Sequence, residues 1–263
     1  MTAASTNIGI RRAISRIGNP LLWFAGFILA WELFVRIAEI PSYTLPAPSD
    51  FLLRIFASFD RILPQAIIST KLIVLGFLAG ALPAVPLGLL IATVPLFERT
   101  LYPFLVFLNV IPKIALVPVL IVWFGFGGMP KIILAALLVF FPIMVDSITG
   151  FRATDRRLFY LSRSMGASAL QTLWYIRIPA ALPYIFSGLK ISIVLAVTVV
   201  IVAEFVGSNE GLGYLILRAT SNHDLSMTFA ALFVAAGIGL ALNYIIETSE
   251  GWLMPWLEYQ RQK

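Results

Sequence analysis

Four polar side chains interrupt the longest apolar runs of this sequence: Asn109, Lys113, Lys190 and Glu204. Charged groups inside a bilayer are costly, so they are rare and usually mark a path for a solute or an ion. Asn109 lies one helical turn before Lys113 and on the same face. Pro112 and Pro118 flank this region and predict a broken helix, which is best tolerated beside a cavity. The four residues are therefore candidates for a translocation path.

Each charged group also has a structural explanation. Lys190 and Glu204 are fourteen residues apart and would share one helix face, about 20 Å apart along the axis. Lys190 can extend its ammonium to the nearby interface, and Glu204 can serve as a gate or as a helix-end contact. Lys113 either pairs with a carboxylate, from Glu204, Asp146 or a second copy of the chain, or faces a water-filled path that attracts an anion.

Catalytic and metal-binding groups are scarce. The chain has no cysteine, and its single histidine, His223, cannot build a metal site alone. The glycine-rich segment GFGGMP lacks the Lys and Ser/Thr that hold a nucleotide phosphate and magnesium. Neither a catalytic triad nor a carboxylate cluster is evident. We therefore expect no enzyme activity, no metal site, no bound cofactor and no nucleic-acid partner for this chain.

A polar and basic stretch, SRSMGASALQTLWYIRIPAALP (residues 162–183), stands out from its apolar surroundings. It predicts a helix capped by Asp155, a corner of small residues at Gly166 and Ala167, and a second helix stopped by Pro179 and Pro183. A solvated loop that only sets topology would explain the arginines. It would not explain the apolar residues, which need a partner: Leu158, Phe159, Leu161, Met165, Leu170, Leu173, Trp174 and Ile176.

The composition identifies the elements that carry these residues. The 263 residues are 60% hydrophobic and only 12% charged, whereas soluble domains have about a quarter charged residues. We therefore predict an all-α, polytopic membrane protein, because only helices satisfy their backbone within such spans. Residues 40–65 predict a short surface helix, capped by Ser49 or Asp50. Six apolar runs reach the length needed to span a bilayer: Pro20–Glu39, Ala66–Val94, Leu101–Phe124, Pro130–Phe151, Pro183–Val206 and Met227–Thr248.

Lysine and arginine counts predict the orientation. With the N-terminus inside, eleven basic residues lie in inner segments and four in outer ones; the outer four are Arg54, Arg61, Lys131 and Arg218. Both termini are then cytoplasmic, with 1–19 as a cytoplasmic segment, 20–263 as a single transmembrane domain and 152–182 as its longest cytoplasmic loop. The first apolar run shows no convincing cleavage site and predicts a retained helix.

Several motifs resemble a known family. Gly166, nine further residues and then IRIP (Ile176–Pro179) resemble the signature loop of the membrane subunits of bacterial ABC importers, although Tyr160, Leu161 and Ser162 occupy its Glu-Ala-Ala positions and Ile178 its usual Leu. The resemblance extends over residues 40–220, through YTLPAPSDF, IPKIALVPVLIVWFGFGGMPKI, RSMGAS, IPAALPYIFSGLKIS and AEFVGSNEGLGYLI. These segments are similar to permeases that serve nitrate, taurine and alkanesulfonates.

The resemblance implies a type I ABC importer permease fold in the bacterial inner membrane, with a coupling helix between the fourth and fifth spans. It implies a second copy of the chain, two cytoplasmic ATPase subunits that bind ATP and Mg²⁺, and a periplasmic or lipid-anchored binding protein. The ATPase-coupling residues would be Tyr160, Leu161, Ser162, Arg163, Gly166, Ala167, Leu170, Ile176 and Pro179. A lysine-bearing path suits a sulfonate, taurine or nitrate-like anion. An aromatic acid or vitamin precursor, a passive carrier or channel, and a membrane-embedded enzyme are the alternatives.

Overall fold

The structure is a computed structural model that describes residues 22–256. Helices make up all of the regular structure in this part of the chain. They are α1 (residues 22–37), α2 (Pro48–Ala57), α3 (Phe59–Thr93), α4 (Pro95–Val110), a 3₁₀ turn (Lys113–Leu116), α5 (Val117–Phe124), α6 (Gly128–Arg152), α7 (Arg156–Ser164), α8 (Ala169–Thr172), a π turn (Leu173–Arg177), α9 (Ile178–Gly207), α10 (Leu212–Ser221) and α11 (Leu225–Leu253).

The core is formed by α3, α6 and α9. Its buried members include Ile73 and Ala84 of α3, Ile143 of α6 and Val200 of α9. Small residues allow α3 and α6 to approach closely. A Cβ added at Gly80 would lie 2.6 Å from the carbonyl oxygen of Ala136, so this position accepts only glycine without a shift. The same holds at Gly76, and the GxxxG pair therefore marks close helix packing, as its spacing predicts.

Long apolar helices account for five of the six predicted spans. In residues 22–256, four helices are long and apolar enough to cross a membrane, and α4 with the 3₁₀ turn and α5 makes a fifth, bent span. The α3 helix starts seven residues before the predicted Ala66, and a three-residue link joins α5 and α6 within GFGGM. The predicted first span, Pro20–Glu39, begins outside the described residues; α1 covers 22–37 of it. The predicted cytoplasmic segment 1–19 also lies outside them.

The third span bends by 78° between α4 and α5. Ile111, which precedes Pro112, has φ −61° and ψ 129°, because the proline ring disfavours a helical conformation in the residue before it. The helix resumes as the 3₁₀ turn that begins at Lys113. Pro118 breaks nothing further, since it lies in the first turn of α5, where a missing N–H is harmless. The break predicted around Lys113 is therefore confirmed at Pro112.

The predicted stop at Pro179 and Pro183 is wrong. Helical structure runs without interruption from Ala169 to Gly207, and both prolines lie inside it. The π turn Leu173–Arg177 directly precedes Pro179, and its wider winding accommodates a residue that donates no N–H. The second helix of the polar stretch is thus the first part of the fifth span.

The surface helix α2 forms as predicted, but Ser49 and Asp50 do not cap it in the expected way. The cap residue is Ala47, and Pro48 starts the helix, so Asp50 lies in the first turn and accepts the N–H of Ala47 at 3.4 Å. Phe51 is buried against Phe233, with ring centroids 4.4 Å apart. Phe56 of the same helix is exposed.

Candidate functional site

The polar stretch folds into an elbow, which we define as residues 155–179. Asp155 caps α7, because its carboxylate accepts the N–H of Arg157 at 2.9 Å, as the sequence predicts. Two hydrogen bonds close the other end of α7: Ala167 N–H to the Ser162 carbonyl at 2.9 Å and Gly166 N–H to the Arg163 carbonyl at 3.0 Å. This is the Schellman pattern of a helix that ends on a left-handed residue.

Gly166 is that left-handed residue, with φ +75°. A Cβ added there would meet nothing within 4 Å in the chain, so the backbone conformation, and not internal crowding, requires glycine. The open space is on the outer side of the corner. A partner could therefore approach the backbone closely at this point.

The capping interaction at the start of α8 was not predicted from the sequence. The hydroxyl of Ser168 accepts the N–H of Gln171 at 3.2 Å, and the Gln171 side chain accepts the N–H of Ser168 at 2.8 Å. This reciprocal pair is a capping box. The signal was present in the sequence as Ser-x-x-Gln, directly after the glycine corner. The Schellman bonds at the end of α7 and the capping box at the start of α8 lie on either side of the corner at Gly166 and Ala167. Together they stabilise the angle between the two helices of the elbow.

The elbow presents an apolar surface without a partner among the described residues. Leu161, Leu170 and Met165 are 57%, 65% and 78% exposed, and a groove of about 430 Å³ runs between α7 and the α8–π segment. Leu158, Gly166 and Ile176 line this groove.

The predicted coupling residues fall into four groups. Tyr160, Leu161, Arg163 and Leu170 are exposed, Gly166 and Ala167 form the corner, and Ser162 is buried beneath it. Ile176 and Pro179 are half-buried where the elbow meets α9. Their contact with an ATPase stays a prediction.

Lys113 lies at the bend of the third span. Its ammonium donates to the Asn109 side-chain oxygen at 2.6 Å and to the Asn109 carbonyl at 2.9 Å. The prediction that these two residues share a face is thus confirmed. In residues 22–256, no carboxylate lies within 4.0 Å of this ammonium, and both residues line an apolar cavity of about 190 Å³ beside Phe140.

Lys190 and Glu204 each have a different partner. Lys190 forms an ion pair with Glu250 near the end of α11. Glu204 is fully buried and accepts the Ser69 hydroxyl at 2.8 Å and the Gly213 N–H at 2.7 Å. Neither group therefore has Lys113 or Asn109 as its partner. Ser69 and Glu250 were missed, since contacts between distant helices leave no local signal in a single sequence.

A metal site is not formed by this part of the chain: within the described residues, no three His, Asp or Glu side chains come together. Glu32 and Arg36 form an ion pair at 3.0 Å, and Arg36 also pairs with Asp50 at 2.8 Å. This cluster ties α1 to α2, which is a structural role.

Comparisons with known proteins agree with this geometry. Residues 84–259 match the family described as binding-protein-dependent transport system inner membrane component. The chain is 33% identical to the formylaminopyrimidine transport permease protein ThiX of Halalkalibacterium halodurans, over 92% of this chain and 97% of that protein. It is 31% identical to the putative aliphatic sulfonates transport permease protein SsuC of Bacillus subtilis, over 90% of this chain and 86% of the relative.

The fold also resembles a solved structure. A chain from an inward-facing crystal structure of the MetNI methionine ABC transporter superposes with a TM-score of 0.58. The superposition covers 71% of this chain and 95% of that chain, at 18% identity. The arrangement of spans around the elbow is thus a type I importer permease fold.

Proposed function

The chain belongs to the family of binding-protein-dependent transport system inner membrane components and is the membrane-spanning permease of an ABC importer; from this premise we propose that it carries a small anion, such as a sulfonate, taurine or nitrate, into a bacterial cell. The observation that carries this proposal is Lys113, an ammonium at the bend of a span with an amide neighbour and no carboxylate in reach among the described residues. The sulfonate permease relative supports it.

We further propose that two copies of the chain enclose the path. Support comes from α4, an apolar helix in which no residue is buried, and from α5, whose Val122 and Trp123 are exposed. Both helices flank the bend that holds Lys113. A second copy packed against them would cover this surface and bring two lysines to one path.

We propose that the elbow of each copy docks onto one of two cytoplasmic ATPase subunits. These subunits bind ATP and Mg²⁺, and this chain does not. Exposed apolar residues on a capped, rigid corner support this role, because movement of a docked ATPase would be transmitted directly into α9 through the continuous helix from Ala169 to Gly207. A periplasmic or lipid-anchored protein delivers the solute from the other side. Both termini are then cytoplasmic, as the basic-residue count predicts.

Two substitutions of one residue test the docking. Gly166→Ala and Gly166→Leu impose the same left-handed strain, about 1–2 kcal/mol, and a Cβ at this position meets nothing within 4 Å among the described residues. Only leucine would keep a partner away. We expect solute-stimulated ATPase activity of the assembled complex to be largely retained with alanine and to fall sharply with leucine. Equal activity of the two variants would refute docking at the corner.

Uptake by Lys113→Met tests the path. An isolated charge at the centre of a span costs about 2.5–3.5 kcal/mol on insertion scales, so a methionine should leave assembly unchanged or improved. Anion uptake should fall, whereas Lys71→Met, which removes an exposed lysine of α3, should leave uptake unchanged. Thermal stability and uptake are measured on the same complex. Destabilisation with near-normal uptake per assembled complex would show that Lys113 balances a carboxylate instead.

The alternative solute, an aromatic acid or vitamin precursor, is supported by the formylaminopyrimidine permease relative. Binding measurements on the partner binding protein decide between the two solute classes. Uptake that persists without ATP would favour a passive carrier or channel.

A further inference from the structure

A second, basic cavity lies behind the elbow, on the side opposite to the apolar groove. It measures about 570 Å³, is open on one side, and is lined by the ends of α3 and α6, the first turn of α4, α7 and the π turn. Three arginines line it, Arg152, Arg163 and Arg177, against one carboxylate, Glu98. It shares no lining residue with the groove between α7 and α8. The two faces of α7 therefore have different chemistry.

The positive charge of this cavity is not neutralised within the part of the chain that the structure describes. Glu98 is engaged by Arg152 at 2.9 Å. Neither Arg163 nor Arg177 has a carboxylate within 4.0 Å among residues 22–256. Arg177 rests on the ring of Phe159, with 4.6 Å from its guanidinium carbon to the ring centre, which orients the guanidinium and leaves its N–H donors available.

An independent observation points to an oxygen-rich ligand. Thr154 lines the same cavity and is 6% exposed, and among residues 22–256 its hydroxyl has no hydrogen-bond partner. Buried hydroxyls without a partner are rare, because leaving one unpaired costs about 1–3 kcal/mol. The two guanidinium groups can only donate hydrogen bonds, and the hydroxyl has an unused donor, so this cavity favours a ligand that is rich in acceptors. A phosphate group supplies several acceptor oxygens with a negative charge, and arginine binds it in a two-pronged geometry.

We propose that this cavity binds the phosphate of an anionic phospholipid from the inner leaflet. A neighbouring cavity of about 360 Å³ shares Arg163, Arg177 and Phe159 and continues along Leu89 and Leu90 at the end of α3. This apolar extension can accommodate the acyl chain of a phospholipid, whereas a free phosphate ion has no apolar group to place there. Basic cavities between helices at the cytoplasmic side are known to hold such headgroups. The inference rests on the proposed function, since it takes the elbow to be cytoplasmic.

A bound headgroup would join three elements that otherwise meet loosely: the end of α6, α7 and the π turn. It would hold α7 in place while the opposite, apolar face of α7 engages the ATPase. Anionic lipid should then increase solute-stimulated ATPase activity. Replacement of Arg157, which is exposed on α7 but does not line the cavity, should leave this lipid-dependent increase in ATPase activity unchanged.

Lipid retention by the full-length permease tests the proposal without any need for ATP. The chain is purified from vesicles of phosphatidylcholine and phosphatidylglycerol in equal amounts, and the retained lipid is identified by native mass spectrometry. We expect phosphatidylglycerol to be retained selectively, and Arg163→Gln or Arg177→Gln to weaken retention on the order of fivefold each. Arg157→Gln removes the same charge from the same helix and should retain lipid as the wild type does.

Several outcomes would overturn the proposal. Equal losses in all three variants would indicate general attraction to the leaflet. Thermal protection of the wild type by inorganic phosphate, lost in the Arg163 and Arg177 variants without selective lipid retention, would assign the site to a free phosphate and exclude the lipid. Unchanged retention with loss of the copurified ATPase subunit would place both arginines in the subunit interface. Failure of ATP-driven uptake in the wild type would count against the proposed function and leave the lipid result standing.

Discussion

Removal of the Glu204 carboxylate should release the N-terminus of α10. The carboxylate accepts the Ser69 hydroxyl and the N–H of Gly213, while Ser69 in turn accepts the N–H of Leu212 at 2.8 Å. Gln65 accepts the N–H of Gly211 at 2.6 Å. The first backbone donors of α10 are thus satisfied by side chains of α3 and α9, and water has no access to a site that is fully buried.

The magnitude follows from the donors left behind. Glu204→Ala leaves the Ser69 hydroxyl and the Gly213 N–H without their acceptor. The hydroxyl can turn to a carbonyl of its own helix, one turn earlier, whereas the N–H cannot move. One unsatisfied buried donor costs about 1–3 kcal/mol, and for a chain of this size about 2 kcal/mol corresponds to a loss of about 4–8 °C in melting temperature.

The Glu204→Gln variant separates shape from hydrogen bonding. Glutamine fills the same space, but its amide N–H₂ group would face a donor, either Ser69 or Gly213. We therefore expect Glu204→Gln to lose part of the stability that Glu204→Ala loses. Thermal unfolding of the purified chain gives the size of the effect, and hydrogen exchange in Leu212–Ser221 gives its location. Wild-type melting of Glu204→Ala, or faster exchange spread over the whole chain, would refute the anchoring role.

Further outcomes can be measured on the same preparations. Gly80→Ala should destabilise the chain by about 1–3 kcal/mol through overpacking against α6, whereas Gly237→Ala, where a Cβ meets nothing within 4 Å, should be neutral or stabilising in thermal unfolding. Asp224 both accepts the Met227 N–H at 3.1 Å and pairs with an arginine of α2, so Asp224→Asn should lose at most about 1 kcal/mol and Asp224→Ala about 1 kcal/mol more, from the lost cap. An impermeant thiol reagent on intact cells should label Asn209→Cys and spare Ser164→Cys; the reverse would invert the orientation.

Patterns that repeat along the chain predicted six spans, five of which the structure can test, and local contacts predicted the first helix and the glycine corner of the elbow. Apolar runs, the proline break before Lys113, the Asp155 cap and the Gly166 corner each depend on residues within a few positions of one another. The exact ends of the helices were predicted less accurately. A π turn upstream of Pro179 allowed one continuous helix where proline alone predicts a stop, and such turns have no sequence signature.

The segment AEFVGSNEGLGYLI shows what sequence alone could not explain. Two of its three glycines lie against Glu204: a Cβ on Gly213 would be 2.7 Å from the Cβ of Glu204, and one on Gly211, at φ +100°, would overlap the carboxyl group. The spacing Gly-Leu-Gly thus follows from a close approach between α10 and α9. Nothing within the segment itself indicates that Glu204 points inward toward Ser69.

The same contacts sharpen the assignment of the path. Lys190 and Glu204 share a helix, and their spacing alone suggests one charged face. Each instead meets a partner on another helix: Glu250 of α11 balances the charge of Lys190, and Ser69 of α3 and Gly213 of α10 satisfy the carboxylate of Glu204. Neither charge then needs a solute to offset its cost. Lys113 differs, because in the described chain only the neutral Asn109 accepts a hydrogen bond from its ammonium. The cost of this charge must then be offset by water, by an anion or by a carboxylate of a second copy. The proposed path for a negatively charged solute is one of these explanations, and the Lys113→Met variant separates it from pairing with a carboxylate.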